Sequence, residues 1–222
     1  MFIRLSYTLN CDTPAYGGKD SFSSKPLNQI KNGDSANTSN WEFFNHLGTH
    51  IDFPYHFYQN GQTIEDFTDD YWIYTGDKIQ VLDVDLDEKN LLIKPENVKI
   101  KNLNLKAELI IFKTGYGKFR NIEKYWKFNP GIDIKTTNWI KKTFKDIKII
   151  GLDSISISSW QHRDIGRNVH RELLNPKNPI LIIEDMDLSK INNDTKFKMI
   201  FIAPIIVSGS DGSPCTIISE VD

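Results

Sequence analysis

The sequence predicts a single α/β domain over residues 1–222, with a mostly β core and a few flanking helices. Short apolar runs bounded by polar residues, such as 109–112 and 180–183, are typical of buried strands. Between residues 133 and 152, a helical pattern, a short loop and an isoleucine-rich run follow one another, which is the order of elements in α/β proteins. With 39% hydrophobic and 25% charged residues, the chain has the composition of a globular protein that buries a sizeable core.

The first part of the chain contains one predicted strand and then little regular structure. Residues 2–9 alternate well enough for a short strand, and 11–19 are expected to form a loop. Residues 20–40 are rich in Ser and Asn and have no periodicity, so we interpret them as a surface segment or lid. We expect the three aromatic residues that follow in the core rather than in a substrate platform: Trp41, Phe43 and Phe44.

The remaining elements follow from apolar runs and capping residues. Strands are expected at 78–86, 109–112, 147–152, 180–183 and 198–207. A helix is expected to begin at Asp133, because Asp is a favoured N-cap, and a helical turn is expected at 170–174.

Several acidic residues lie at the ends of these strands. Asp83, Asp85 and Asp87 are interpreted as the solvent side and exit of their strand rather than as a metal cluster. Asp153 follows another strand, and the sequence leaves two alternatives for it: a residue of a functional site or a residue that caps a turn.

Charge and cysteine content exclude several classes of function. A formal net charge of −2 provides no electrostatic surface for nucleic acid or an anionic membrane. No apolar run approaches the roughly 20 residues of a membrane span, and the amino terminus lacks the apolar core of a signal peptide. With only Cys11 and Cys215, no disulfide framework is expected, and we predict a cytoplasmic protein.

The chain concentrates its histidines in the twelve residues from His46 to Phe57. Three of the five histidines, His46, His50 and His56, lie here beside Asp52. With the period of a strand, these four residues share one side, and the apolar residues between them share the other. One face would therefore carry polar ligands while the other enters the core.

A helix fits this stretch less well, since it would place Asp52 on the far side from His50. A straight strand would separate the Cα atoms of His46 and His50 by about 13 Å. We therefore expect the chain to bend, and Gly48 is the residue that permits it.

Imidazole and carboxylate groups at positions n, n+4 and n+6 suit zinc, manganese or iron(II). His56 is then an additional histidine that can move protons. The alternative is a buried strand whose polar face is satisfied by hydrogen bonds.

The pattern His46-x-Gly-Thr-His50-x-Asp52-x-Pro-x-His56-Phe resembles the signature of the cyclase family of metal-dependent hydrolases, which includes bacterial kynurenine formamidases and isatin hydrolases. The resemblance extends over residues 3–218 and implies the swivelling β/β/α architecture of that family. It also implies that His46, His50 and Asp52 are metal ligands.

The resemblance implies a second ligand pair further along the chain. His170 precedes a Leu-Leu pair, and Glu184 begins a Glu-x-Met-x-Leu segment, as in family members. These two residues, with Asp52 as a bridge, would hold a second ion, so the cofactor is one or two divalent ions, with zinc first and manganese as the alternative. His162 is expected to be a surface residue.

One departure from the family pattern follows Gly209-Ser-Asp-Gly-Ser-Pro214. Family members usually carry an Arg near the next strand, whereas this chain has Cys215 and Thr216. The departure affects any substrate or interface contact that the Arg makes and leaves the predicted ligands unchanged.

The sequence and the resemblance together predict a metal-dependent hydrolase of a small amide, formamide, or cyclic amide or ester. Metal-activated water would attack, with His56 as general base and then acid, and N-formylkynurenine hydrolysis by an arylformamidase is the first candidate reaction. The alternative is a catalytically inactive metal- or ligand-binding protein of the same fold. The expected partner is a small-molecule substrate, with no nucleic acid and no membrane, and the resemblance implies a homodimer or homotetramer.

Overall fold

The computed structural model describes residues 1–18, 22–87, 89–100, 102–192 and 195–222. The strands in these residues are β1 (Phe2–Arg4), β2 (Ser23–Asn28), β3 (Thr38–Glu42), β4 (His50–Asp52), β5 (Ile73–Thr75), β6 (Ile79–Val84), β7 (Leu92–Ile93), β8 (Val98–Lys99), β9 (Leu109–Lys113), β10 (Gly131–Ile132), β11 (Ile149–Leu152), β12 (Leu181–Glu184), β13 (Phe197–Pro204) and β14 (Gly212–Val221). The α-helices are α1 (Lys124–Lys127), α2 (Ile134–Thr143) and α3 (Arg163–Leu173).

Ten of these strands form one large curled sheet in the order β5-β13-β14-β4-β12-β11-β9-β6-β8, with β1 paired to β14. Strands β12, β11, β9 and β6 run parallel, whereas β4 is antiparallel to both of its neighbours, β12 and β14. The described residues also contain two small sheets, β2 with β3 and β7 with β10. Strand β4, which carries two predicted ligands, therefore lies in the interior of the large sheet.

Both faces of the central sheet are covered by apolar side chains. On β12, Leu181 and Ile183 belong to one buried cluster and Ile182 to the other, as the two-residue period of a strand requires. The cluster that contains Ile182 also includes residues of α2 and α3, such as Ile140 and Val169. Glu184 shares the face of Ile182, so the predicted site residues of β12 and β4 lie on the side that these helices cover.

Most of the sequence-predicted elements are confirmed. Strands β6, β9, β11, β12 and β13 lie where apolar runs predict them, and the four residues from Leu109 to Phe112 are fully buried. Helix α2 begins after Asp133, whose side chain accepts a hydrogen bond from the Lys135 backbone N–H at 2.8 Å. The expected α/β architecture with a mostly β core is confirmed.

The interpretation of residues 20–40 as a surface segment is confirmed for the part that the structure describes, but this segment contains two strands that the sequence did not predict. Strands β2 and β3 form an antiparallel hairpin, and nearly all of their side chains are exposed. Because neither face of this hairpin is buried, its sequence has no apolar alternation by which it could be recognised.

Trp41, near the end of β3, and the two aromatic residues that follow the hairpin are not in the core, contrary to expectation. Trp41 is 65% exposed and Phe44 is 61% exposed, while Phe43 is partly buried and stacks on Phe22 with ring centroids 5.8 Å apart. These rings belong to the hairpin and to the entrance of the cavity described below. Within the described part of the chain, no helix is long and apolar enough to cross a bilayer.

Candidate metal centre

The site is built on the pairing of β4 with its two neighbours. His50 and Asp52 are two residues apart on β4 and therefore point to the same side, while Ile51 enters the core on the other. Glu184 lies opposite His50 in the antiparallel pairing of β12 with β4. Residues directly opposite in such a pair face the same side of the sheet, so the three side chains converge.

His46 reaches this cluster because the chain bends before β4. Gly48 has a φ of 70°, a backbone conformation that residues other than glycine rarely adopt. The predicted bend at Gly48 is thereby confirmed. It places His46 Nδ1 at 2.8 Å from Asp52 Oδ1.

His170 is contributed by the last turns of α3, where it is buried. Its Nε2 lies 3.6 Å from Asp52 Oδ2 and 3.5 Å from Glu184 Oε1. Its Nδ1 lies 2.9 Å from the Gly166 carbonyl oxygen, which requires Nδ1 to carry the proton and donate it. Nε2 then faces the two carboxylates.

His50 is arranged in the same way. Its Nδ1 is 2.8 Å from the Gly48 carbonyl oxygen, and its Nε2 is 3.5 Å from both Asp52 Oδ1 and Glu184 Oε2. This Nε2 atom is buried and makes no hydrogen bond among the described residues. A buried ring nitrogen without a partner is rare in proteins, and a cation between it and the carboxylates would satisfy it.

The donor set fits a divalent metal ion. Ligand atoms of His50, Asp52 and Glu184 lie within 4.8 Å of one another, and so do those of His46, Asp52 and His56. Imidazole with carboxylate is the combination that zinc, manganese and iron accept. Asp52 belongs to both groups, so the arrangement can accommodate one ion or two.

Glu184 is held by donors that the sequence did not reveal. Its Oε1 accepts hydrogen bonds from the Ser156 hydroxyl at 3.0 Å and from the Ile157 backbone N–H at 2.7 Å. These residues follow β11, the parallel neighbour of β12. They orient the carboxylate toward the two histidines, as outer partners of metal ligands commonly do.

His56 lies at the edge of the cluster and is partly exposed. Its ring is 4.0 Å from that of His46, measured between centroids, and its Nδ1 is 3.0 Å from Asp211 Oδ2. The same oxygen lies 2.9 Å from His46 Nε2. The Asn45 amide donates to the other carboxylate oxygen at 2.6 Å, so Asp211 is fixed between two histidines.

Asp211 is the residue of the candidate site that the sequence analysis missed. It lies in the Gly209–Pro214 segment that resembles the family pattern, and that resemblance was the available signal. The following glycine matters as well, because a Cβ on Gly212 would come within 2.3 Å of His46 Cε1. This close approach brings the start of β14 against the His46 ring.

Asp153, for which the sequence left a functional role open, and His162, which was expected at the surface, both lie outside the cluster. Asp153 accepts hydrogen bonds from the backbone N–H groups of Thr114 and Gly115, at 2.7 and 2.9 Å, so it caps the turn after β9. His162 is half-buried, and its Nε2 lies 3.0 Å from the Asn90 carbonyl oxygen.

The carboxylates and imidazoles shift one another's ionisation. Burial opposes protonation of His170, but hydrogen bonds with Asp52 and Glu184 outweigh it and raise its pKa to about 10. For His46, burial is likewise outweighed by Asp211 and Asp52, and its pKa rises to about 10. Burial would raise the pKa of Asp52, yet hydrogen bonds from His170 and His46 hold it well below the usual value.

A cavity of about 350 Å³ opens onto these side chains. Besides the six sequence-predicted site residues, its lining consists of Tyr16, Phe44, Phe57, Ile155, Ser156, Ser158, Arg163 and Arg167. A larger cavity of about 510 Å³ lies beside Tyr116 and Phe119, and no histidine is among the described residues that line it. The smaller cavity therefore combines space with the imidazole and carboxylate groups.

A protein-family sequence model matches most of this chain. The model named Cyclase matches residues 3–159, which is more than two thirds of the sequence. The chain belongs to the cyclase family. The match includes the His46–His56 signature of this cyclase-family chain, while His170 and Glu184 lie beyond it.

Relatives extend the similarity over nearly the whole cyclase-family chain. Kynurenine formamidase from Bacillus cereus (strain ATCC 10987 / NRS 248) is 26% identical over 215 residues, covering 96% of this chain and 94% of the relative. Kynurenine formamidase from Bacillus anthracis is 26% identical over 213 residues, with the same coverage of 96% and 94%.

Solved structures share the fold of this cyclase-family chain. A protein from Bacillus stearothermophilus, described as a predicted metal-dependent hydrolase, superimposes with a TM-score of 0.74 at 18% identity, covering 99% of this chain and 97% of the other. Isatin hydrolase A from Ralstonia solanacearum gives a TM-score of 0.74 at 14% identity, with coverage of 99% and 91%. The resemblance stated from the sequence is confirmed at the level of family and fold, and the roles of the individual site residues stay predictions.

Proposed function

We propose that this chain is a metal-dependent hydrolase of a small amide, formamide, or cyclic amide or ester. The observation that carries the proposal is the buried Nε2 of His50, which has no hydrogen bond among the described residues and lies 3.5 Å from the carboxylates of Asp52 and Glu184. His170, equally buried, directs its Nε2 at the same two carboxylates. Imidazole nitrogens and carboxylates that converge in this way favour a bound metal cation, which would replace the protons of the imidazoles.

The residues that would hold the metal follow from these contacts. His50, Asp52, Glu184 and His170 would hold one ion, and His46 with Asp52 would contribute to a second. When bound, a divalent ion supplies Lewis acidity, which makes water acidic at neutral pH and a carbonyl group electrophilic. Zinc is the first candidate and manganese the second.

His56 would move the proton. Asp211 accepts the Nδ1–H of His56, which leaves the Nε2 lone pair free to act as a base. His56 would remove the proton of the attacking water and then donate it to the leaving nitrogen or oxygen, so that no net charge remains on the imidazole. Asp211 orients the ring throughout, as the acid of a catalytic triad does.

The substrate we propose first is N-formylkynurenine. Two considerations support it: kynurenine formamidases from Bacillus cereus and Bacillus anthracis are relatives at 26% identity, and aromatic side chains line the cavity, namely Tyr16, Phe44 and Phe57. A flat aryl amide would lie between such rings. Isatin is the second candidate, because isatin hydrolases share the fold.

The inactive binding protein of the same fold is the less favoured alternative. A site that only stores or carries metal has no use for a partly exposed histidine whose tautomer is set by a dedicated carboxylate. The His56–Asp211 pair is therefore the feature that favours catalysis.

The test combines elemental analysis with hydrolysis assays. Protein purified without added metal, and protein reconstituted with zinc or manganese, is measured for metal per chain and for turnover of N-formylkynurenine and isatin. We expect stoichiometric metal and turnover of one of the two substrates. The controls are His56→Ala, which should keep metal and lose most turnover, and Asp52→Ala, which should lose both.

Two results would contradict the proposal. Absence of metal after reconstitution would mean that the histidine and carboxylate cluster is structural. Full activity of His56→Ala would show that the proton is moved by another group.

A further inference from the structure

Two arginines line the cavity that contains the predicted metal ligands, and no step of the proposed hydrolysis uses them. We propose that Arg163 and Arg167 bind a carboxylate or similar anionic group of the substrate. The inference rests on the proposed function, because it assigns the substrate class of that same cavity. It narrows the class to small aryl amides or formamides that carry a negative charge away from the bond that is cleaved.

The position of both arginines on α3 supports this assignment. Arg163, Arg167 and His170 are related by i, i+4 and i+7, which places them along one face of the helix. With a rise of about 1.5 Å per residue, Arg167 is about 4.5 Å and Arg163 about 10.5 Å from His170 along the axis. An anion held there would lie one to two helical turns from the predicted ligands.

Arg163 is held by aromatic rings rather than by an acid. Its guanidinium carbon lies 4.7 Å from the centroid of the Trp160 ring, and Trp160 packs edge-on against Tyr16 with centroids 5.0 Å apart. Within the part of the chain that the structure describes, Arg163 forms no ion pair with an acidic side chain. The stacking orders the guanidinium and leaves its charge available to a ligand.

Arg167 has an ion pair that a ligand can replace. Its Nη1 lies 2.5 Å from Asp164 Oδ1, but both partners are exposed, the Asp164 side chain by 95%. Exposed pairs of this kind contribute little to stability, so little is lost when an incoming carboxylate takes the place of Asp164.

Arg163 is the first residue of α3, next to Asp164, the acidic residue of the first turn. The amino-terminal end of a helix carries partial positive charge and favours acidic side chains. A cation there does not stabilise the helix, whereas a bound anion would interact favourably with both. This supports a ligand-binding role for Arg163.

The two arginines also influence the pKa of Tyr16, which lines the same cavity. Burial raises the pKa of Tyr16 to about 12, and Glu184 adds to the rise, while Arg163 and Arg167 oppose it. The charges of Glu184, Arg163 and Arg167 therefore all influence the ionisation of the Tyr16 phenol. Its hydroxyl is buried beside the Arg163 side chain and has no partner of normal hydrogen-bond geometry among the described residues, so the two groups can contact the same substrate.

The experiment uses two substrates of equal shape and different charge, 4-formamidobenzoate and 4-formamidobenzamide. With metal-loaded protein, we expect kcat/KM to favour the carboxylate by at least about tenfold, which is the size of one charge-assisted hydrogen bond. Arg163→Gln and Arg167→Gln should each lower this ratio severalfold, and the double variant should bring it close to one. Lys142→Gln, which removes an exposed charge of α2 outside the cavity, should leave the ratio unchanged.

Binding of the corresponding amines provides a measurement that does not depend on turnover. Titration calorimetry of 4-aminobenzoate and 4-aminobenzamide on metal-free protein should show preference for the carboxylate, and the double variant should lose it. Metal-free protein is used because a carboxylate could otherwise bind the metal directly.

The outcomes separate the two proposals. If neither amide is hydrolysed by any metal-loaded form, the proposed hydrolase function fails, and the binding preference alone decides the role of the arginines. Equal binding of the two amines by the wild-type protein would overturn the arginine proposal. So would a kcat/KM ratio that the double variant retains.

Discussion

Glu184 lies opposite His50 across the antiparallel pair of β12 and β4, with Glu184 Oε2 at 3.5 Å from His50 Nε2. This cross-strand pair brings together two residues that are far apart in the chain. A register shift of one residue would turn Glu184 toward the apolar cluster on the other face and remove the site. Strand register is therefore what creates the candidate metal centre.

The first prediction concerns this pair. His50→Ala and Glu184→Gln should each reduce metal affinity by more than the 10- to 100-fold that loss of an outer partner of a ligand typically costs. Metal per chain after dialysis against a weak chelator is the measurement. Glu172→Gln, which removes an exposed carboxylate paired with Lys141, is the matched control and should retain metal. Full retention of metal by Glu184→Gln would refute its assignment as a ligand.

The second prediction concerns Asp211, which contacts both His46 and His56. Asp211→Asn should lower kcat by about 10- to 100-fold at saturating metal, because the amide no longer accepts from His56 Nδ1–H with the strength of a carboxylate. Metal content should stay close to that of the wild type. Asp69→Asn, an exposed acid outside the cavity lining, serves as the comparison. An unchanged kcat would mean that Asp211 has no part in orienting His56.

The third prediction is that metal binding releases protons. In metal-free protein the pKa of His170 and that of His46 are about 10, so both imidazoles are charged at neutral pH and must deprotonate to bind metal. Affinity should rise with pH by up to about tenfold per pH unit for each proton released. Calorimetry in buffers of different ionisation enthalpy counts these protons, and His170→Gln should release about one fewer.

The same pKa shifts determine how the stability of the metal-free protein changes with pH. A raised histidine pKa stabilises the folded state fully below the ordinary value of 6.5, and this contribution declines as pH rises toward 10. The free energy of unfolding of metal-free protein, measured in urea, should therefore decrease between pH 6 and pH 9 because the contribution of these histidines is lost. Added metal should remove the trend.

The fourth prediction concerns a buried ion pair next to Glu184. Arg120 contacts both carboxylate oxygens of Asp185, at 2.7 to 3.1 Å, and the Tyr125 hydroxyl donates to the same group at 2.6 Å. Asp185 has a φ of 53°, and its carbonyl oxygen accepts the Thr49 hydroxyl at 2.5 Å, which links the end of β12 to the residue before His50. Arg120→Met should lower the free energy of unfolding by about 3–5 kcal/mol, because it leaves a buried carboxylate without a counterion.

Urea denaturation with a double-mutant cycle tests this prediction. Arg120→Met combined with Asp185→Asn should be less destabilised than the sum of the two single variants. Burial raises the pKa of Asp185, with Arg120 opposing it, so the Arg120→Met defect should shrink as pH falls and the carboxyl becomes protonated. A defect that is the same at every pH would show that the loss comes from packing alone.

Much of the fold could be predicted because its signals are local. The fully buried run at Leu109–Phe112 and the Asp133 cap each depend on a few adjacent residues, whose apolar character or hydrogen-bonding capacity acts in place. The hairpin of β2 and β3 could not be recognised, since exposed strands place no constraint on the side chains of either face.

The types of side chain in the candidate site could also be predicted from the sequence, whereas the distances and contacts between them could not. The spacing of His46, His50 and Asp52 is local and indicates the donor chemistry and the bend at Gly48. Asp211 and the donors at Ser156 and Ile157 act on this cluster from other strands. Which of several acids and hydroxyls would meet a histidine depends on strand order and register, which are set by cooperative pairing and packing over the whole sheet. Residue chemistry and local geometry are thus encoded in short segments, and the assembly of the site is decided only when the sheet closes around β4.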